Sequence, residues 1–284
     1  MATAYANTYN LKKGFSTWVC PEWTVAAIVD GMQTYGYDGV ELRVGKGHLH
    51  GVEVDSPADY LASVRKQFDA ANLAVSCIAT SYSFSSPDIV ERQKTIEHVK
   101  QCLRVAEAVG APYLRVFGGD IPHGLEATGV IDYIADALSE CTDFAEKEKT
   151  RAMILIETHG AFSHSKYAAE ILKQVYSPKL GILWDILHPL RVLEPIEDTY
   201  DAICNYVKHL HIRDCAFNDD RTKITPCDPG EGFIPLPQVI EVLKSGNFRG
   251  YLSVEVLKEN ADPDELLPQY SAYLKELLKP LVKV

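Results

Sequence analysis

Three carboxylates and one imidazole stand at matching places in four similar phrases of this chain. Glu157 closes the apolar run "MILIE", Asp185 closes "LGILWD", His211 falls near the end of "VKHLHI", and Glu255 closes "GYLSVE". Carboxylates gathered at one place repel each other and hold their protons more tightly unless a cation sits among them. Three oxygen donors with one imidazole suit a divalent ion of the Mn, Mg, Co or Zn type, Mn being taken first, and no cysteine is placed to soften the set. Taken singly, each residue reads as well as a strand-end polar group satisfied by its own loop. Their recurrence in four successive runs asks for one common cause.

The runs belong to a longer series. "GFSTWVC", "DGVELRV", "LAVSCIAT", "PYLRVFG", "AMILIET", "LGILWD", "YVKHLHI" and "GYLSVEV" all read as short strands. Between them lie stretches with apolar residues at helical spacing. In "SPADYLASVRKQFDAANL", Ser56 and Pro57 suit an N-cap and a first turn, and Leu61, Val64 and Phe68 form the stripe. The stripe of "PDIVERQKTIEHVKQCLRVAEAVGAP" runs until Gly110 and Pro112 stop it. "IDYIADALSECTDFAEKEK" and "PLPQVIEVLKSGNF" read the same way.

Alternating strand and helix implies parallel pairing through crossover helices. Eight such units, with no G-x-G-x-x-G turn after the first strand, favour a closed barrel over a doubly wound open sheet. No linker divides the chain, so residues 1–284 are expected to form one domain. In a barrel of this kind the strand C-terminal ends open onto a shared mouth. Alternation puts Met153, Leu155 and Glu157 on one face, and Gly181, Leu183 and Asp185 on another.

Composition narrows the partners. A formal charge of −11 weighs against a nucleic-acid backbone as ligand. No apolar run is long enough to cross a bilayer, and "MATAYANTYNLKKGF", without a basic segment before an apolar core, is not expected to act as a secretory signal. Seven scattered cysteines without a C-x-x-C pair read as buried free thiols in a reducing compartment, so a cytoplasmic location is expected.

"ETHG", the D-x-x-H of "WDILHP", "HLHIRD" and the late "VEV" resemble the xylose-isomerase-like TIM barrels, the sugar phosphate isomerase/epimerase superfamily. Its members include ketose 3-epimerases, inosose isomerases, sugar dehydratases and an apurinic endonuclease branch. The resemblance implies a (β/α)8 barrel in which Glu157, Asp185, His211 and Glu255 hold one divalent metal. It implies that His188 touches a sugar or polyol substrate, and that Glu157 and Glu255 move a proton through a metal-stabilised enediolate. Isomerisation or epimerisation is the leading expectation. A lyase or dehydratase starting from the same enolate is the alternative, and a non-catalytic sugar-binding barrel is a third reading. The endonuclease branch needs histidines after the third and fourth strands and a later D-x-H, which "CIATSYSF", "YLRVFGGD" and the segment after His211 do not supply. Assembly into a homo-oligomer is left open.

Arg43, Arg115 and Arg213 are further candidates for binding a substrate carboxylate, phosphate or hydroxyls through forked hydrogen bonds, with pairing to the acidic residues and holding of loops as the alternative. Arg213 leads, because the family often has a basic residue just past the histidine. His159 enters the pocket if the chain turns at Thr158. His209 is expected to be a hydrogen-bonded core histidine, and His48 and His50 to lie in a solvated loop. Trp184 and Phe117 are expected in barrel–helix packing, and Glu231 in a turn.

Overall fold

The computed structural model describes residues 11–218, 223–257 and 261–279. Its strands and helices alternate as β1 (Leu11–Ser16), α1 (Val25–Tyr35), β2 (Gly39–Arg43), α2 (Ala58–Ala70), β3 (Ala74–Ser83), α3 (Ile89–Val109), β4 (Tyr113–Phe117), α4 (Ala127–Lys147) and β5 (Met153–Glu157). They continue as α5 (Ser165–Val175), β6 (Leu180–Asp185), α6 (Leu187–Arg191), α7 (Ile196–Ile203) and β7 (Val207–Ile212). A short hairpin, β8 (Cys215–Phe217) and β9 (Ile224–Pro226), precedes α8 (Leu236–Ser245), β10 (Gly250–Val254) and α9 (Pro263–Leu277).

Eight parallel strands close in the order β1-β10-β7-β6-β5-β4-β3-β2, and β1 returns to β10 with Leu11 opposite Gly250. Closure decides for a single (β/α)8 TIM barrel against an open sheet. Because helices cover the outside and side chains fill the inside, strands such as β2 and β6 are buried along their whole length. Each helix earns its place by its stripe. Val130, Ile134, Leu138 and Cys141 of α4 are fully buried or nearly so, and burying each large aliphatic contributes roughly 1.5–3 kcal/mol. Helix α3 stops at Gly110, whose positive φ of 79° lets its N–H turn back to Ala106 and Glu107.

Two local expectations fail. The first strand begins at Leu11, and the expected run "GFSTWVC" is strand only to Ser16; Thr17–Val19 form a 3-10 turn capped by Ser16. Ser56 is not the cap of α2. Pro57 holds that position, while the Ser56 hydroxyl donates to Gly51 O at 2.8 Å and ties down the preceding loop.

Non-neighbouring strands meet through the interior. Tyr113 of β4 touches the His209 ring of β7, which in turn touches Tyr251 of β10. This lower layer leaves room opposite Tyr251 only for a glycine: a Cβ on Gly39 would overlap Tyr251 Cε1 and stand 3.1 Å from Ser76 Cβ. Gly39→Ala should therefore cost about 1–3 kcal/mol by overpacking. A lowered thermal midpoint, partly restored by adding Tyr251→Leu, is the expected result; an unchanged midpoint would count against the packing argument. Among the described residues no helix is long and apolar enough to cross a membrane.

Candidate metal centre and substrate cavity

Strand ends deliver the four polar residues to one place. Glu157 and Asp185 terminate β5 and β6, His211 pairs in register with Asp185, and Glu255 follows β10 with its N–H on Ile212 O at 3.1 Å. The Thr158 hydroxyl, accepting from Asp185 N–H at 3.1 Å, draws the ends of β5 and β6 together. One donor atom from each of Glu157, Asp185, His211 and Glu255 lies within 4.8 Å of all the others. His211 Nδ1 is 3.3 Å from Glu255, 3.4 Å from Glu157 and 3.8 Å from Asp185. It makes no hydrogen bond to any of them, and Glu157 Oε2 is likewise buried without a hydrogen-bond partner. These orphaned atoms, in a set of three carboxylates and one imidazole, fit a divalent cation.

Two guanidinium groups brace the acids. Arg213 Nη2 donates to Glu255 Oε2 at 2.7 Å and contacts Asp185 Oδ2. Arg115 Nε lies 3.1 Å from Glu157 Oε2, off-line for a hydrogen bond, and its Nη2 lies 3.8 Å from Glu255. Burial alone would raise the Glu157 pKa, but Arg115 and His211 overcome it and hold the carboxyl well below its usual range. Asp185 goes the other way. Burial, aided by Glu157 and opposed by Arg213, pushes it up to about 6. Burial would lower His211, yet Glu255, Glu41 and Glu157 together raise it well above its ordinary value.

Glu41 went unnoticed in the sequence. It is completely buried on β2, with Oε2 at 2.9 Å from His211 Nε2 and 3.4 Å from His209 Nε2. With Glu41 accepting from Nε2–H, a cation replacing the second ring proton would find the Nδ1 lone pair directed at it. Alternation in "GVELR" carried the signal, since Glu41 shares its strand face with Arg43. His209 is a core residue, as expected, but not a hydrogen-bonded one: neither ring nitrogen has a hydrogen-bond partner, and burial, opposed by Glu41, lowers its pKa.

The cavity above this floor has a volume of about 760 Å³, within the roughly 300–1,000 Å³ usual for small-molecule sites. Arg43, Arg115, Glu157, His159, His188 and Arg213 all reach it. His159, where the chain turns after β5, has its ring centroid 4.1 Å from that of His188 and 4.5 Å from that of Phe117. Phe117 thus faces the mouth, against the expectation of helix packing, and Arg115 lies 4.2 Å over its ring. Trp184 does pack outward, stacked on Tyr200. His188 Nε2 is 3.7 Å from Asp185 Oδ2, and burial lowers the His188 pKa to about 4, so the ring is neutral at pH 7. The hairpin β8–β9 walls one side. Its base is gathered by the Asp214 carboxylate, which accepts from the N–H groups of Cys215, Gly230, Gly232 and Ile234. Glu231 is exposed in the turn beyond, as expected.

His48 and His50 do not lie in a solvated loop. Both are buried, His48 Nδ1 lying 3.2 Å from Thr17 Oγ1 and His50 Nδ1 accepting from Val52 N–H. Burial, with His48 close by, lowers the His50 pKa from 6.5 to about 4. Above pH 6.5 the ring is neutral folded and unfolded. Below it the unfolded chain takes a proton that the folded chain refuses, so stability falls with pH, by about 3 kcal/mol at the low end. Urea midpoints measured down this range should fall less steeply for His50→Gln than for the parent; parallel lines would reject the assignment.

A parallel barrel with an acid–imidazole cluster and a cavity at the strand C-terminal ends defines the class. The xylose isomerase-like TIM barrel profile matches residues 29–277, and the chain belongs to that family. Fructoselysine 3-epimerase of Escherichia coli O157:H7 is 22% identical over 228 residues, which cover 78% of this chain and 82% of that protein. Among solved structures, the IOLI protein with a binding zinc atom superposes with a TM-score of 0.80 at 18% identity, covering 96% of this chain and 100% of the other. The 3-keto-D-glucoside 4-epimerase YcjR of E. coli gives 0.76 at 15% identity, covering 94% and 99%. At such identities the two structures speak for the fold.

Proposed function

We propose that this protein is a divalent-metal-dependent isomerase or epimerase of a sugar or sugar-like polyol, working by proton transfer at the carbon beside a carbonyl. The observation that carries the reading is the convergence of Glu157, Asp185, His211 and Glu255 within 4.8 Å on the floor of a substrate-sized cavity. The epimerase relatives support it.

Those four residues would hold the ion, which when bound would polarise the carbonyl and offset the charge that develops on its oxygen. Glu157 and Glu255 would be the acid–base pair. They come from β5 and from the end of β10, with β6 and β7 between them, so they flank the cluster from two sides. A carbon placed between them can lose a proton to one and regain it from the other. Glu157 is ionised at neutral pH because Arg115 and His211 hold it so, and it enters the reaction able to accept a proton. His188 and His159, kept neutral by burial, would hydrogen-bond substrate hydroxyls, with Arg115 and Arg213 fixing the oxygens nearest the glutamates.

The test is a panel of ketoses and inososes in D₂O with Mn, Mg, Co or Zn supplied in turn. Deuterium should appear at the carbon next to the carbonyl of at least one substrate and should cease on chelation. Loss of water from the substrate would identify a lyase instead. Absence of both exchange and metal binding would overturn the reading.

A further inference from the structure

We propose that the substrate carries an anionic group, a carboxylate or a phosphate, and that Arg43 with Ser81 forms the subsite that receives it. This rests on reading the cavity as the place where a sugar is processed.

Arg43 differs from the other two guanidinium groups of the mouth. Arg115 and Arg213 each lie beside two carboxylates. Arg43 is only 3% exposed, yet among the described residues it has no ion-pair partner. Its two hydrogen bonds go to neutral oxygens, Thr80 O at 2.9 Å and Ser81 Oγ at 2.8 Å. Its Nε is buried with no hydrogen-bond partner. Burial, together with the like charge of Arg115, lowers the Arg43 pKa to about 10, so the group is still a cation at pH 7. Glu41, Glu255 and Glu157 stabilise the charge at longer range, but none is within ion-pair distance, so this buried guanidinium retains donor capacity for an anion brought by a ligand.

The placement suits a ligand. The guanidinium lies 4.9 Å from the Trp18 ring centroid, and Arg43, Ser81 and Trp18 all line the cavity. In the closed strand order β2 stands opposite β6, so Arg43 faces the acid cluster from across the mouth. A sugar whose reacting carbon lies by the glutamates would present its far end to Arg43. Charge points the same way. Glu41, Glu157, Asp185 and Glu255 face Arg43, Arg115 and Arg213. With His211 neutral, as it would be when ligating, a divalent ion among these four acids and three guanidinium groups would leave an excess of one positive charge, which a monoanion would neutralise. Arg191 lines the rim and adds to the attraction.

The test is calorimetric titration of the full chain with D-fructose, D-fructuronate and D-fructose 6-phosphate, both in chelator and with saturating Mn. At least one of the two anions should bind the parent protein tenfold or more tightly than D-fructose. The better anion tells carboxylate from phosphate. Arg43→Gln should reduce that advantage at least tenfold, whereas Arg43→Lys should keep part of it. Equal binding of all three ligands, or an advantage that survives Arg43→Gln, would overturn the subsite. Should the Gln variant fail to fold, the parent comparison and the Lys variant still decide. Binding is read without turnover, so anion preference without deuterium exchange would remove the proposed chemistry and leave the subsite standing. Exchange on neutral ketoses without anion preference would do the reverse.

Discussion

Glu157→Gln and Glu255→Gln should each abolish deuterium incorporation from solvent at the substrate carbon, with turnover falling by about 10²–10⁴-fold. The amide keeps the size of the side chain and one oxygen donor, so the cluster can persist while the proton acceptor is lost. Metal content by elemental analysis should therefore be recorded on the same preparations. A variant that keeps its ion and loses exchange isolates proton transfer from cation binding. Since the two glutamates act as a unit, the double variant should be little worse than either single one. Undiminished exchange in both single variants would end the assignment of these residues as acid and base.

Arg115→Met carries the largest expected effect on stability. Arg115 is 1% exposed and lies beside Glu157, itself 1% exposed. Removing the guanidinium strands a buried carboxylate, a loss of about 3–5 kcal/mol in chelator. The sign of the pH dependence follows from Glu157. Its carboxyl is held below its unfolded pKa of 4.5, so the stability it contributes is present above that value and is lost as pH falls toward the folded pKa. Without Arg115 that contribution should shrink, leaving the variant's stability flatter with acid than the parent's. A saturating divalent ion should recover part of the deficit by replacing the missing positive charge. A variant as stable as the parent in chelator would show that the pair contributes little.

Much of this was legible because the barrel imposes two simple periods. Alternation with burial on both faces gave the strands, and 3.6-residue stripes gave α2, α3, α4 and α8. The acid–imidazole cluster was legible because equivalent strand ends share a mouth. What escaped notice is equally physical. Lys12 and Lys13 hid the start of β1: one ammonium lies over the Tyr251 ring and the other donates to Ser271, so their stems pack while their charges find partners. His48 and His50 sit in a polar stretch, and it is tertiary packing that takes them out of water, His48 against Thr17 and Trp18 and His50 against the His48 ring. The β8–β9 hairpin has only three residues a strand, too few to show a period, and its base is held by Asp214. Glu41 was within reach, since an acid flanked by Val40 and Leu42 in a buried strand requires a partner.

The pairing of β1 with β10 has a consequence for how the molecule is made. Glu255 arrives on the last strand of the cylinder, and Glu41 meets a histidine 170 positions later in the chain. A nascent polypeptide halted before residue 250 has the first seven staves and two raw edges, with its inner acids still short of their full complement. The four-residue cluster is thus completed by the same event that seals the molecule.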